Sequence, residues 1–251
     1  MMTIREYKRA ESLEEAWQLN QKRPNRVLGG MIWLKMENIN VGTAIDLSGL
    51  DLDTIEETDD GFSIGAMVTL RQLELHPGLA AYTDGAVRES VRHIVGVQLR
   101  NLATVGGSIY SRFGFSDVLT MFLALNASVE LYKGGVVPLA EYAQRPYDRD
   151  ILVGVLVPKE NARFVYQSVR NSQTDFPVLT CAASCYEGIV LVSIGARPMR
   201  ATVTETTLDE MEHIADAFDY GSNMRGSREY RKHLAEVLLC RAKKALEEGN
   251  V

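Results

Sequence analysis

Gly96-Val97-Gln98-Leu99-Arg100-Asn101-Leu102-Ala103-Thr104-Val105-Gly106-Gly107-Ser108-Ile109 is the stretch on which the reading of this chain turns, with Ser116-Asp117 shortly downstream. A polar lead-in, a hydroxyl, two adjacent glycines and a second hydroxyl fall in one short span, and an apolar run from Val118 to Leu125 follows. Adjacent glycines let backbone N–H groups approach a ligand closely, because no Cβ intervenes. The flanking hydroxyls add directional hydrogen bonds. That combination suits a phosphorylated or heterocyclic ligand. The run from Asp117 to Leu125 predicts a helix, with the Asp117 carboxylate at its N-terminus, where negative charge is favoured.

Upstream lies a second glycine pair. Arg26-Val27-Leu28 has the look of a strand running into Gly29-Gly30, and Met31 to Met36 of the first turns of a helix. Strand, Gly-Gly, helix start is one way to present N–H groups and a positive dipole end to an anion. A tight turn that needs glycine for positive φ explains the same residues more plainly. The segment has neither the Gly-Lys-Ser/Thr of a P-loop nor GxGxxG, so neither familiar nucleotide site is expected. A strand and helix over residues 4–23, capped by Ser12 with Glu15 three residues on, and a strand from Val41 to Leu47 complete a small βαβ-type unit. The acidic run over 51–61 predicts a solvated hairpin end and a boundary near 55.

Phe62 to Ala66 predicts a strand, Thr69 the cap of a short helix, and 79–95 one helix with Val87, Val91, Ile94 and Val95 on one face. Strands are expected at 128–132, 135–139 and 152–158. From Ala162 the pattern turns to antiparallel strands, 163–170, 178–186 and 189–197, with Gly188 at a turn. Helices over 207–218 and 227–248 close the chain, the second with Ser227 as its cap.

The 251 residues are 46% apolar and 24% charged, enough for one large core or two to three small ones. No stretch approaches the roughly 18 apolar residues of a membrane helix, and the N-terminus lacks the apolar region of a secretory signal. A soluble cytoplasmic protein is expected. The net charge of −6 opposes nucleic-acid binding, which needs a basic surface; Arg225, Arg228, Arg231 and Lys232 are the densest basic group. Three cysteines, with no CxxC and no fourth, fit reduced thiols better than a zinc or iron–sulfur site, and Cys181 and Cys185 read as buried strand residues. The four histidines show no paired spacing, and no metal ligand is expected. No residue stands out as a general acid or base.

Several separated stretches together resemble the FAD-binding, or medium, subunit of the molybdenum hydroxylases: xanthine dehydrogenase, carbon monoxide dehydrogenase, nicotinate dehydrogenase and relatives. They are Val27 to Gly30, Ile64-Gly65-Ala66 with Thr69 and Leu73, and Gln98 through Ser108 with Ser116-Asp117. The second half adds Asp175-Phe176-Pro177, Gly195 to Ala201, and Gly226 to Arg231. The stretches run in family order along nearly the whole chain, whose length is similar to the short bacterial version, including subunits of selenium-dependent purine or xanthine hydroxylases.

The resemblance implies an α+β fold. A two-part FAD-binding module comes first, with a small βαβ unit (1–55) and a mixed or antiparallel sheet with helices (56–160). An antiparallel-sheet-and-helix domain (161–251) follows. It implies FAD as cofactor, with pyrophosphate held by backbone N–H groups of Leu28, Gly29, Gly30, Met31, Ile32 and Trp33. Thr104, Gly107, Ser108 and Ser111 would lie along the other side, Asp117 at the ribityl or phosphate region, and Leu152 or Val153 against the isoalloxazine. Electrons would arrive from [2Fe–2S] clusters on a small partner subunit, fed by a molybdopterin-binding large subunit, and leave through FAD to NAD⁺ or another acceptor.

The chain departs from the family pattern in four places. Met31-Ile32-Trp33 stand where a Ser or Thr and a polar residue are usual, which removes a hydroxyl contact worth ~0.5–1.5 kcal/mol net. Ser108 replaces Asn, Gln167 a lysine that brings positive charge near the flavin, and Gly114 a proline. Two other readings stay open: a scaffold subunit that has lost tight FAD binding, and a free-standing flavoprotein reductase.

Overall fold

The computed structural model describes residues 1–248. The first module contains β1 (Thr3–Arg9), α1 (Leu13–Asn20), β2 (Arg26–Leu28) and β3 (Asn40–Asp46). Both outer strands pair parallel to β3, in the order β1-β3-β2. The Ser12 side chain accepts the Glu15 N–H at the start of α1, and Leu13, Ala16 and Trp17 pack with Ile45 and Leu47.

The second stretch runs β4 (Ile55–Glu57), β5 (Gly61–Gly65), α2 (Leu70–Leu75), α3 (Pro77–Tyr82), α4 (Ala86–Arg92), α5 (Val97–Arg100), α6 (Val105–Ser111), α7 (Asp117–Ala124), β6 (Ser128–Leu131), β7 (Gly135–Pro138), α8 (Leu139–Gln144) and β8 (Leu152–Pro158). Its strands form an antiparallel sheet in the order β4-β5-β8-β6-β7. The acidic run is the β4–β5 hairpin. One helix over 79–95 is not what forms. Asp84 and Gly85 take positive φ, 48° and 79°, and separate α3 from α4.

The third stretch holds β9 (Arg163–Arg170), β10 (Pro177–Tyr186), β11 (Ile189–Gly195), β12 (Thr202–Thr207), a 3-10 turn over Met211–Ala217, and α9 (Arg228–Glu248). Its sheet is antiparallel, β12-β11-β10-β9. The region expected to begin a helix at 207 instead ends a strand. Every residue of α7 is buried, and α7 packs on one face of this sheet through β10 and β11. The Thr120 and Thr180 hydroxyls meet there at 3.0 Å. On the opposite face Leu179, Cys181 and Ala183 join Leu238, Leu239 and Ala242 of α9 in one core. Cover on both faces is why β10 reads as a nearly unbroken apolar run rather than alternating. Burial pushes the Cys181 thiol up to about 12, which makes it an inert core residue. Of the basic group, Arg231 is buried and donates to the carbonyls of Val178 and Gly221, while Arg225 pairs with Asp175. No helix among the described residues is long and apolar enough to cross a membrane.

Candidate functional site

The two glycine pairs meet. A Cβ on Gly29 would stand 2.9 Å from the Thr104 Oγ1, and one on Gly30 would fall 1.9 Å from the Leu102 carbonyl oxygen. The glycines therefore permit one loop to cross over the other. The crossing is pinned from below, where Leu70 N–H donates to the Ala103 carbonyl (2.8 Å) and Val105 N–H to the Val68 carbonyl (2.8 Å). Gly106 N–H donates to the Ala66 carbonyl (2.9 Å), and a Cβ there would sit 2.6 Å from that oxygen.

The N–H groups of the two loops differ in what they have left to offer. At the start of α6, Val105 and Gly106 are committed as above, Gly107 N–H donates to the Thr104 hydroxyl (3.1 Å), and Ser108 N–H to the Thr104 carbonyl (3.0 Å). The Ser108 hydroxyl also donates to the Thr104 carbonyl (2.9 Å), and Ser111 Oγ to the Ser108 carbonyl (3.4 Å). In the first loop the N–H groups of Gly30, Met31, Ile32 and Trp33 have no protein acceptor among the described residues. Instead of a helix start, residues 29–39 form a loop with Met31 at φ 57° and a short 3-10 turn, Leu34–Met36. A helix starting at Met31 would have left the same four N–H groups free, so the loop keeps the donors that a helix start would have offered.

Two cavities abut at the crossing and share Val27, Gly29, Thr104, Gly107, Tyr110 and Tyr147 in their walls. One, of about 580 Å³, extends toward Leu28, Ala66, Arg149 and Leu152. Arg149 caps α1 from across the cleft, donating to the carbonyls of Asn20 (2.6 Å) and Arg23 (2.9 Å). The other, of about 590 Å³, is walled mostly by apolar groups, among them Met31, Ile32, Trp33, Phe113, Phe115 and Phe176, and reaches Ser108, Ser111, Asp117 and Arg170. Arg26 and Glu37 also line both cavities, and Arg26 donates to the carbonyls of Arg23 (2.7 Å) and Asn25 (2.8 Å).

Asp117 opens α7 behind the cap Ser116, whose hydroxyl accepts the Leu119 N–H at 3.1 Å. Its Oδ1 accepts from the Tyr166 hydroxyl at 2.5 Å and from the Arg170 guanidinium. Burial pushes the Asp117 carboxyl up to about 6, against the opposing pull of Arg170 and of the Tyr166 hydroxyl. Gln167, where the resemblance implies a lysine, lies on another recess beside Glu89 and His93 that shares Arg170 with the aromatic-lined cavity. The positive charge stands three residues further on, at Arg170. Gly114 is accounted for by a close approach: Ala196 N–H donates to its carbonyl (2.8 Å), and a Cβ would meet the Met199 carbonyl oxygen at 2.9 Å.

All twelve expected site residues thus line one or other cavity, but Leu152 lies in the cavity that Trp33, Phe113, Phe115 and Phe176 do not line. Arg170 and Tyr166 were missed because nothing in the sequence pairs β9 with α7. Phe113 and Phe115 had a signal, two aromatics two residues apart directly between Ser111 and Ser116.

The family model for the FAD binding domain in molybdopterin dehydrogenase matches residues 2–160. The chain is 25% identical over 248 residues to the uncharacterized protein YgfM of Escherichia coli K12, covering 94% of each. It is 28% identical over 290 residues to the putative xanthine dehydrogenase FAD-binding subunit XdhB of the same strain, covering 99% of this chain and 97% of the relative. A chain of the CO dehydrogenase from Oligotropha carboxidovorans shares the fold, with a TM-score of 0.86, 23% identity and 98% of both chains covered.

Proposed function

The chain belongs to the family of the FAD binding domain in molybdopterin dehydrogenase, and on that premise we propose that it is the FAD-binding electron-transfer subunit of a multi-subunit molybdenum hydroxylase. The observation that carries the ligand assignment is the run of backbone N–H groups from Gly30 to Trp33 without a protein acceptor, in the wall of the aromatic-lined cavity next to Gly29, where that cavity joins the other. FAD has an anionic pyrophosphate between two ring systems. A row of free donors close to the junction of two cavities suits that order of parts.

In this reading the pyrophosphate takes the N–H groups of the first loop, and Thr104, Gly107 and Ser108 bound it from the second. The isoalloxazine goes to the aromatic-lined side, near Asp117 and Ser111. Leu152 then meets the adenine rather than the isoalloxazine, because it lines the opposite cavity. Bound FAD would supply a carrier that takes electrons singly and releases them as a pair. The chain's own residues hold and insulate it. Arg170, paired with Asp117, keeps a positive charge at the ring cavity without leaving it uncompensated, and the apolar walls exclude water.

Partners of two kinds follow from this reading: an iron–sulfur subunit that delivers electrons and a molybdopterin-binding large subunit that oxidises substrate, with NAD⁺ or another acceptor receiving them, in the cytoplasm. The description of XdhB as a FAD-binding subunit supports it. A scaffold role without tight FAD binding is the competing reading, favoured by the internal use of the N–H groups and the Ser108 hydroxyl of α6. The visible spectrum of the purified chain and an anaerobic titration with FAD decide between them. A flavin spectrum, or saturable uptake of added FAD, is expected; a colourless chain that takes up none would favour the scaffold. Co-purification with an iron–sulfur protein is the expected sign of the hydroxylase complex, against a free-standing reductase.

A further inference from the structure

Trp33 departs from the rest of its loop. Of the loop's other apolar side chains, Met31, Leu34 and Ile39 pack with Leu28, Val41 and Ala44 inside the first module, while Ile32 and the exposed Met36 line the cavity. The Trp33 ring instead meets Phe113 at 5.5 Å between centroids, Phe115 at 5.3 Å and Phe176 at 5.8 Å. Phe113 and Phe115 follow α6, and Phe176 precedes β10, so the cluster joins three separate stretches of chain at one wall of the ring cavity. Trp33 stays 39% exposed within it, which leaves part of the indole surface uncovered by the three phenylalanines. Offset or edge contacts at centroid distances of about 4.5–7 Å are what an aromatic face offers to a flat ring system.

We propose that Trp33 is the lid of the ring cavity and that its indole covers the isoalloxazine of bound FAD; this rests on the FAD reading above. The lid explains what replaces the polar side chains missing from Met31-Ile32-Trp33: contact from the first loop comes from a stacked ring at the far end of the ligand as well as from N–H groups at its middle. It also makes closure depend on all three stretches, because Phe113, Phe115 and Phe176 hold the indole in place. The occupant that fits is a planar, electron-poor heteroaromatic ring, and a dinucleotide carrying only a small ring at that end would leave the indole without a partner.

The test uses the full chain and FAD itself. The chain has two tryptophans. Trp17 sits in α1 against the core of the first module, so Trp17→Phe leaves Trp33 as the only indole emitter. FAD added to that variant should quench its indole emission in step with binding. Trp33→Ala should bind FAD on the order of tenfold more weakly and expose the bound flavin's fluorescence to quenching by iodide, with Trp33→Phe restoring most of both. Unchanged affinity and unchanged iodide access in Trp33→Ala would overturn the lid while leaving FAD binding standing. So would FAD uptake by Trp17→Phe without indole quenching, a result that does not depend on Trp33→Ala folding. Failure of the unaltered chain to bind FAD would remove the functional reading and the lid together.

Discussion

Asp117 shows what a single position can and cannot announce. Its place at the head of α7 follows from the Ser116 cap and the apolar run behind it, and both are visible in the sequence. Its counter-charge is not, because Arg170 is 53 residues on, in a different sheet. Burial pushes Asp117 up to about 6 from the ordinary 3.8, and Arg170 and Tyr166 hold it from going further. A folded-state value above the unfolded one favours the protonated form in the fold. Its contribution to stability is therefore complete below pH 3.8 and is lost as pH rises through about 6. Other carboxylates titrate too, so the difference between the native chain and Asp117→Asn isolates this one. In urea titrations from about pH 4 to about pH 8 the native chain should gain on the variant as pH falls and lose as it rises. A pH-independent difference would show that Asp117 keeps an ordinary carboxyl. The same limit on local reading applies at Gln167: the sequence there shows no cation, but Arg170, three residues on, lines the cavity.

The helices that carry the glycine crossing depend on a tie the sequence does not display. The Arg100 guanidinium of α5 grips Glu74 of α2 at 2.8 and 3.3 Å, Arg71 adds a third contact at 2.9 Å, and both Arg100 and Glu74 are buried. Burial raises the Glu74 carboxyl, but Arg100 and Arg71 outweigh it and hold it below the ordinary 4.5. Its stabilising effect is present above that value and is lost as pH falls through the lower, folded one. Glu74→Ala leaves Arg100 buried without its partner and should cost ~3–5 kcal/mol at neutral pH, read as a fall in Tm and in urea midpoint. A loss under about 1 kcal/mol would place the pair among surface contacts. Elements with strong local patterning were legible: α1 from its cap, β10 from its apolar run, α9 from its helical spacing. The break between α3 and α4 was missed although Asp84-Gly85 is a turn signal, because the apolar spacing of Val87 and Val91 dominated. β12 was missed because Thr202-Val203-Thr204-Glu205-Thr206-Thr207 has almost no apolar face to register. The stretch after Gly30 forms a loop rather than a helix start: Met31 and Leu34 have helical spacing but pack from the loop onto Leu28, Val41 and Ala44, and Met36 is exposed.

Three sheets built from successive stretches of chain meet around one cleft, and the family assignment explains why so much of it was legible. The spaced motifs mark where the stretches touch, and the paired glycines serve those contacts as much as any ligand. What the motifs could not convey is which donors remain free after folding; only the folded chain shows the Gly30–Trp33 amides unpaired and the α6 amides used. The decisive site is Gly107, which lines both cavities. A Cβ there meets the Thr104 Oγ1 at 3.0 Å, a tight contact at which that hydroxyl must give way, and a larger side chain would fill the crossing. FAD titrations of the native chain and Gly107→Val, followed by flavin fluorescence and backed by circular dichroism, should give saturable binding in the first and none in the second, with matching far-ultraviolet spectra. Undiminished FAD binding by a folded Gly107→Val, or no binding by the native chain, would contradict the placement of FAD in this cleft.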